Sequence, residues 1–146
     1  LVLTGSLVAN LALGFISGDN MTSNEQLSPS DNVSEGQIQV YQDKVILNVK
    51  DTYWAEYSDS NSMDPVLDVG ANGIEIIPKT ESELKVGDII SYTPAGSESL
   101  IVHRIVSIDS DAEGTFYTMK GDNNASNDPE KVRFNQIKFK TIAIIY

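Results

Sequence analysis

The segment LIVHRIVSI at residues 100–108 is an apolar run that holds one imidazole and one guanidinium group. Its β-branched residues suit a pleated sheet, and no window of helical length beyond residue 18 has a period of 3.6 residues. The segment therefore predicts a β-strand.

Similar strand signals occur on both sides of this segment. Apolar and polar residues alternate at period two within Ile38–Val49, as they do in half-buried strands. Further strand signals lie at Ile74–Ile77, Asp88–Tyr92, Thr115–Met119 and Ile137–Tyr146. Turn-forming Gly, Pro, Asn and Asp residues separate these segments. The sequence therefore predicts a mainly β fold with a curled antiparallel sheet or barrel-like core.

The first 18 residues form an uncharged, largely apolar run. A membrane span needs about 20 helical residues, so residues 1–18 are slightly short for a complete span. Because the chain begins with leucine, we expect further residues upstream and a partial membrane-anchor helix over 1–18. A secretory signal peptide and a buried core helix are the alternatives.

Residues 19–36 are rich in Ser, Asn, Asp and Glu and predict a linker, because they carry too little apolar surface to offset the entropy of ordering. No lysine or arginine occurs before Lys44, so the positive-inside rule does not hold this segment on the cytoplasmic side. We expect one folded domain over the remaining residues, 37–146.

Charge and cysteine content argue against several classes of protein. The chain of 146 residues has a formal net charge of -11 at pH 7, which repels the phosphate backbone of nucleic acids. It contains no cysteine and therefore no disulfide, thiolate nucleophile, zinc finger or iron–sulfur cluster. No nucleic-acid partner is expected.

Two positions carry the side chains of a nucleophile and a base. Ser62 stands in a predicted turn, because Pro65 has a fixed φ and disfavours the α conformation at Asp64. A hydroxyl exposed in such a turn can act as a nucleophile, and an ordinary polar turn is the alternative. His103 is the only histidine of the chain. Imidazole is a natural proton acceptor near neutral pH, and a hydrogen-bonded sheet residue is the alternative.

The loop Lys120–Pro129 carries two carboxylates, Asp122 and Asp128. Its Gly, Asn and Asp residues suit a tight loop. A calcium loop is the alternative interpretation, but the EF-hand positions that require glycine and glutamate hold Asn127 and Arg133.

Four motifs follow one another along the chain. They are Ser62-Met63-Asp64-Pro65, Val86–Ile90, Val102–Val106 and Lys120–Asn124, and Asp128 follows the last one. In this order they resemble the type I signal peptidases, specifically the archaeal and endoplasmic-reticulum branch, in which histidine replaces the lysine base of the bacterial enzymes. The resemblance covers Ser60–Asp128, nearly half of the chain.

The resemblance implies a role for each matched residue. Ser62 corresponds to the nucleophile and His103 to the general base. Asp128 corresponds to the acid that orients the base, and Asp122 to a second functional or loop-forming carboxylate. These roles agree with the chemistry, because serine needs a positioned base and the base needs an acceptor. The backbone N–H of Ser62 and the hydroxyl of Ser60 correspond to donors for the oxyanion.

The chain departs from the family pattern next to the nucleophile and after it. Asn61 and Asp64 stand where many members have glycine and glutamate, and Asp68–Gly73 differs from the usual glycine-aspartate. The aromatic segment Tyr53–Tyr57 predicts core packing, with insertion at a membrane surface as the alternative.

The resemblance implies the fold of the LexA-like clan and a single-pass, membrane-bound serine endopeptidase whose catalytic domain, 37–146, lies on the extracytoplasmic side. Its substrates would be the signal peptides of exported preproteins, cut after small residues. The peptide would bind in extended form beside an exposed strand, with Met63 and Asp88–Tyr92 as pocket walls. Membrane lipid is an expected partner, accessory subunits are left open, and this chemistry needs no metal or organic cofactor.

Two alternatives come from other classes of protein. The first is a non-catalytic extracellular β-domain that retains the peptidase fold. The second is an autoproteolytic regulator of the LexA-like clan, but such proteins use a lysine base and carry a DNA-binding arm. This chain has His103 at the base position and a hydrophobic run in place of a basic arm.

Overall fold

A computed structural model of the chain describes residues 26–146. The described residues divide into a small unit, Val33–Val49, and a larger unit made of Gln26–Asn32 and Lys50–Tyr146. The predicted membrane anchor at 1–18 and the first part of the predicted linker lie outside the described residues. Among those that are described, no helix is long and apolar enough to cross a membrane.

The small unit contains a short hairpin. A 3-10 helix, Glu35–Gln37, precedes strand β1 (Ile38–Val40), which pairs antiparallel with β2 (Val45–Leu47). The strand prediction for Ile38–Val49 is thus confirmed.

The larger unit is built on a six-stranded sheet in the order β3-β4-β8-β5-β6-β7, in which every neighbouring pair is antiparallel. The strands are β3 (Thr52–Glu56), β4 (Asn72–Ile76), β5 (Ile89–Tyr92), β6 (Ile101–Asp111), β7 (Gly114–Lys120) and β8 (Ile137–Ile145). Two further 3-10 helices span Glu81–Glu83 and Phe134–Gln136. The prediction of a mainly β, antiparallel fold is confirmed. The sheet does not close into a barrel, because β3 and β7 form its two ends and do not pair with each other.

The aromatic segment before Ser62 lies on an edge of this sheet. Within residues 26–146, strand β3 pairs only with β4, and its residues Tyr53 and Trp54 are 47% and 63% exposed. The prediction that Tyr53–Tyr57 packs in the core is therefore wrong for these two residues, because an edge strand that contacts one neighbour leaves large side chains in solvent. Tyr57, beyond the strand, packs against the core cluster that contains Met63.

The core lies on both faces of β5, whose four residues are all buried. Ile90 and Tyr92 belong to a cluster formed by Leu84, Ile90, Tyr92, Ile105, Tyr117, Met119, Val132 and Ile137. Ile89 points to the other face and packs with Met63 and Leu67. Because β5 is covered on both faces and pairs with β6 and β8, it gives the neighbouring strand β6 a rigid support.

A buried ion pair between Lys140 and Asp88 also binds Ser30, which precedes the strands of the sheet. Lys140 Nζ lies 2.9 Å from Asp88 Oδ2, and the two side chains are 2% and 0% exposed. Ser30 donates to Asp88 Oδ1 from its backbone N–H at 2.8 Å and its hydroxyl at 2.7 Å. Burial alone would raise the pKa of Asp88, but the hydrogen bonds from Ser30 and Lys140 outweigh it and lower that pKa. The predicted linker, 19–36, is thus attached to the sheet at Ser30.

Replacement of Lys140 by methionine should lower the free energy of unfolding by about 3–5 kcal/mol, because the Asp88 carboxylate would stay buried without its cation. Lys138→Met is the matched control, since Lys138 is exposed on the same strand, and it should change stability by less than about 0.5 kcal/mol. Urea titrations of both variants measure the difference. Equal losses in the two variants would contradict the stabilising role of the pair.

Candidate active site

Ser62 lies in the loop between β3 and β4, directly before a buried methionine. Met63 is 3% exposed and packs with Leu67 and Ile89. Its carbonyl accepts hydrogen bonds from the backbone N–H groups of Val66 at 2.9 Å and Leu67 at 3.0 Å. The loop is therefore anchored at Met63, and this anchor holds the half-buried Ser62 next to it.

The residue before Ser62 adopts a left-handed backbone conformation. Asn61 has a φ of 58°, in a region that glycine enters freely and asparagine tolerates better than most residues. This conformation suits an asparagine or a glycine at position 61. It also brings the serines on either side of it together, with Ser60 Oγ and Ser62 Oγ 3.1 Å apart.

His103 lies near one edge of the sheet, on the strand between β5 and β7. It lies on β6 opposite Ile90 of β5 and is 7% exposed. Its Nδ1 is 2.6 Å from Asp128 Oδ2. An ionised carboxylate only accepts hydrogen bonds, so Nδ1 carries the proton of this bond and Nε2 is left as the basic nitrogen of the neutral ring.

The partner carboxylate belongs to the loop that follows β7. The backbone N–H of Asp128 donates to the carbonyl of Met119 at 2.8 Å. Asp128 Oδ2 accepts a second hydrogen bond, from the hydroxyl of Tyr92 at 2.7 Å. Burial and the neighbouring Asp128 carboxylate raise the pKa of Tyr92 well above its usual range, so this hydroxyl stays a donor. No sequence signal identified Tyr92, which looked like the last residue of an ordinary strand.

The second predicted carboxylate pairs with a different cation. Asp122 accepts a bidentate hydrogen bond from Arg104, at 2.8 Å to Nε and 2.6 Å to Nη2, and the two side chains are 5% and 6% exposed. Arg104 Nη1 also donates to the carbonyls of Gly87 at 2.7 Å and Leu27 at 3.1 Å. Of the two candidate acids, Asp128 therefore contacts the histidine, and Asp122 contacts the arginine next to it.

The loop that carries Asp122 also contacts the loop that carries Ser62. The backbone N–H of Asn123 donates to the carbonyl of Ser62 at 3.0 Å, and its side-chain amide donates to the carbonyl of Asn61 at 2.9 Å. Gly121 lies so close that a Cβ at this position would be 2.5 Å from Ser62 O. The motif Gly121–Asn124 thus holds the backbone of Ser62 in place. Glycine is required at position 121 because a side chain there would collide with the carbonyl of Ser62.

Ser62 and His103 line one cavity of about 520 Å³. Its other lining residues are Glu56, Tyr57, Ser58, Ser60, Met63, Leu67, Leu100, Ile101, Val102 and Asn124. The expectation that Met63 forms a wall is met. The expectation that Asp88–Tyr92 forms another wall is wrong, because the side chains of β5 are buried in the core, and the first residues of β6 line the cavity instead.

Ser62 and His103 are not joined by a hydrogen bond. Within residues 26–146, Ser62 Oγ contacts Ser60 Oγ, and no hydrogen bond links it to the imidazole. Bonds of this kind are commonly long in peptidases without substrate and tighten when substrate binds. The arrangement is thus a formed histidine–carboxylate pair with a serine in the same cavity.

The described part of the chain contains no group of three or more His, Cys, Asp or Glu side chains arranged to bind a metal ion.

No protein-family model, curated protein or solved structure matches this chain. The candidate site therefore has to be interpreted from its own geometry and from the motifs of the sequence.

A buried cluster of polar side chains around Glu75 lies next to Tyr57, one of the residues that line the cavity. Glu75, which is 4% exposed, accepts hydrogen bonds from Ser91 Oγ at 3.1 Å and Thr141 Oγ1 at 3.3 Å. Tyr57 OH lies 3.4 Å from Thr141 Oγ1. Burial raises the pKa of Glu75, and burial together with the Glu75 carboxylate raises the pKa of Tyr57 to about 12.

Asp122→Asn should lower the free energy of unfolding by about 3–5 kcal/mol, because it leaves the buried Arg104 guanidinium without its counter-charge. Asp128→Asn should cost about 1.5–3 kcal/mol, since it weakens the two hydrogen bonds that the carboxylate accepts but leaves no buried charge unpaired. Urea titrations of the two variants provide a direct comparison. A greater loss for Asp128→Asn than for Asp122→Asn would refute these separate roles.

The free energy of unfolding of the Glu75→Gln variant should increase relative to that of the parent protein as pH rises above about 4.3. The folded state raises the pKa of Glu75, so it binds the proton more tightly than the unfolded chain, and the parent loses stability as this carboxyl ionises. Urea titrations between pH 4 and 8 measure the difference, with the exposed Glu98→Gln as control. A stability difference independent of pH would rule out a buried, titrating carboxyl.

Proposed function

We propose that this chain is a membrane-anchored serine endopeptidase that removes N-terminal signal peptides from exported preproteins. The proposal is carried by one observation: His103 contacts Asp128 at 2.6 Å and shares its cavity with Ser62. A hydroxyl, an imidazole and a carboxylate are the groups that a serine peptidase uses. The order of the four sequence motifs supports the narrower assignment to signal-peptide cleavage.

In the first step, Ser62 Oγ attacks the scissile carbonyl carbon and His103 Nε2 takes the hydroxyl proton. Asp128 keeps the ring in the tautomer with Nε2 free and stabilises the imidazolium that forms. His103 then transfers the proton to the leaving amine as the C–N bond breaks, which leaves the acyl group on Ser62. A water molecule then attacks the acyl carbon while His103 Nε2 takes its proton. His103 returns the proton to Ser62 Oγ as the bond between the acyl carbon and Oγ breaks, which releases the peptide acid.

The negative charge on the tetrahedral oxygen needs donors. The backbone N–H of Ser62 and the hydroxyl of Ser60 are the proposed pair, and the 3.1 Å separation of the two serine oxygens supports the second donor. Loss of one such donor lowers kcat by about 10²–10³-fold in serine peptidases. Ser60 is thus proposed to act on the transition state and not on the proton transfer.

The cavity supports an extended peptide with a short apolar side chain near the cut. Met63, Leu67 and Val102 give it apolar walls, and Ser62 lies among them. Shallow apolar pockets of this kind select by size, while pairing of the peptide backbone with a strand gives affinity. The predicted anchor at 1–18 would hold the catalytic domain at the membrane from which signal peptides emerge.

Ser62→Ala and His103→Ala should each reduce cleavage of a preprotein at least about a thousandfold, because both groups take part in bond making. The substrate is a purified preprotein with alanine at the first and third positions before the cut, and mass spectrometry identifies the cleavage site.

Ser110→Ala, an exposed serine on the same strand as His103, is the control and should cleave like the parent. Cleavage at parental rates by both the Ser62 and the His103 variants would exclude the mechanism. A parent protein that does not cleave at all would instead favour a non-catalytic β-domain.

A further inference from the structure

Two donors converge on one oxygen of Asp128. His103 Nδ1 lies 2.6 Å and Tyr92 OH 2.7 Å from the same Oδ2 atom. The backbone of Asp128 is fixed by its bond to Met119 O, but the side chain has two rotatable bonds of its own and is 11% exposed. A second restraint on the carboxylate is therefore needed if Oδ2 is to stay directed at the histidine.

The hydroxyl of Tyr92 occupies a fixed position. Tyr92 is 1% exposed, and its backbone pairs with Ile101 of β6 on one side and Ile137 of β8 on the other. The ring is packed in the larger core cluster, so its side-chain angles cannot change without disturbing that packing. The raised pKa of Tyr92 keeps the proton on the hydroxyl throughout the pH range in which a histidine base works.

We infer that Tyr92 is a positioning residue, whose hydroxyl holds the Asp128 carboxylate in the orientation that directs His103 Nε2 into the cavity. This inference rests on the proposed function, in which His103 is the general base. Tyr92 touches neither Ser62 nor the scissile bond and acts only through Asp128. A buried hydrogen bond to a charged acceptor is strong enough for this task.

The chain offers a matched control within the same core cluster. Tyr117 is 0% exposed, and its hydroxyl has no hydrogen-bond partner among the described residues. Tyr92→Phe and Tyr117→Phe each remove one buried hydroxyl and keep the ring. Only the first removes a contact with Asp128, so effects of core polarity alone should appear in both variants.

The first readout is the NMR signal of the Nδ1 proton, which is unambiguous because the full chain contains one histidine. With Tyr92→Phe the Asp128 carboxylate can rotate, so this signal should shift and exchange faster with solvent water. Tyr117→Phe should leave the signal unchanged. An Nδ1 signal that is unaltered by Tyr92→Phe would overturn the inference.

The second readout is cleavage of the alanine-containing preprotein by the full chain. Tyr92→Phe should lower kcat about tenfold with KM unchanged, and it should have no further effect in an Asp128→Asn background, because Tyr92 acts through that carboxylate. An equal loss in both backgrounds would overturn the inference.

One result separates the two proposals from each other. In that result, the parent protein does not cleave the preprotein, but the Nδ1 signal of His103 still changes with Tyr92→Phe. The positioning role then stands and the proposed function fails. If Tyr92→Phe does not fold, 3-fluorotyrosine at position 92 keeps the ring and a more acidic hydroxyl. That substitution should still shift the Nδ1 signal, and an unchanged signal would overturn the inference.

Discussion

Successive side chains of a strand point to opposite faces, and this constraint governs the arrangement of the candidate site. On β6 it directs the His103 imidazole and the Arg104 guanidinium away from each other, so one carboxylate cannot serve both. The loop after β7 supplies two, with Asp128 at 2.6 Å from the imidazole and Asp122 at 2.6 Å from the guanidinium. The five residues between these aspartates let one loop reach both groups.

The two pairs differ in what they contact. The Arg104–Asp122 pair is buried and bidentate, and it fixes the loop from which Asn123 binds the backbone of Ser62 at 3.0 Å. In the other pair, His103 lines the cavity that Ser62 also lines. Because both pairs share one loop, the position of Ser62 and the orientation of the imidazole depend on the same short segment.

Much of the fold could be predicted from the sequence, since alternation and apolar runs report which residues are buried. Neither pattern reports which strands become neighbours, so the insertion of β8 between β4 and β5 had no sequence signal. Strand β3 was missed because an edge strand does not need the alternation that burial imposes. At the site, the order of the motifs predicted Ser62, His103 and Asp128. No motif predicted Tyr92, which contacts Asp128 only because the tertiary fold brings the two residues together.

The attachment at Ser30 bears on where the larger unit begins. A truncated protein that starts at residue 37 would keep every strand of the six-stranded sheet. Asp88, however, would lose both hydrogen bonds from Ser30, and Arg104 would lose the carbonyl of Leu27. These two buried charged groups would then need water molecules to replace the lost hydrogen bonds. A fragment that keeps these hydrogen bonds must therefore include Leu27 and Ser30, which lie upstream of the boundary that composition alone suggests.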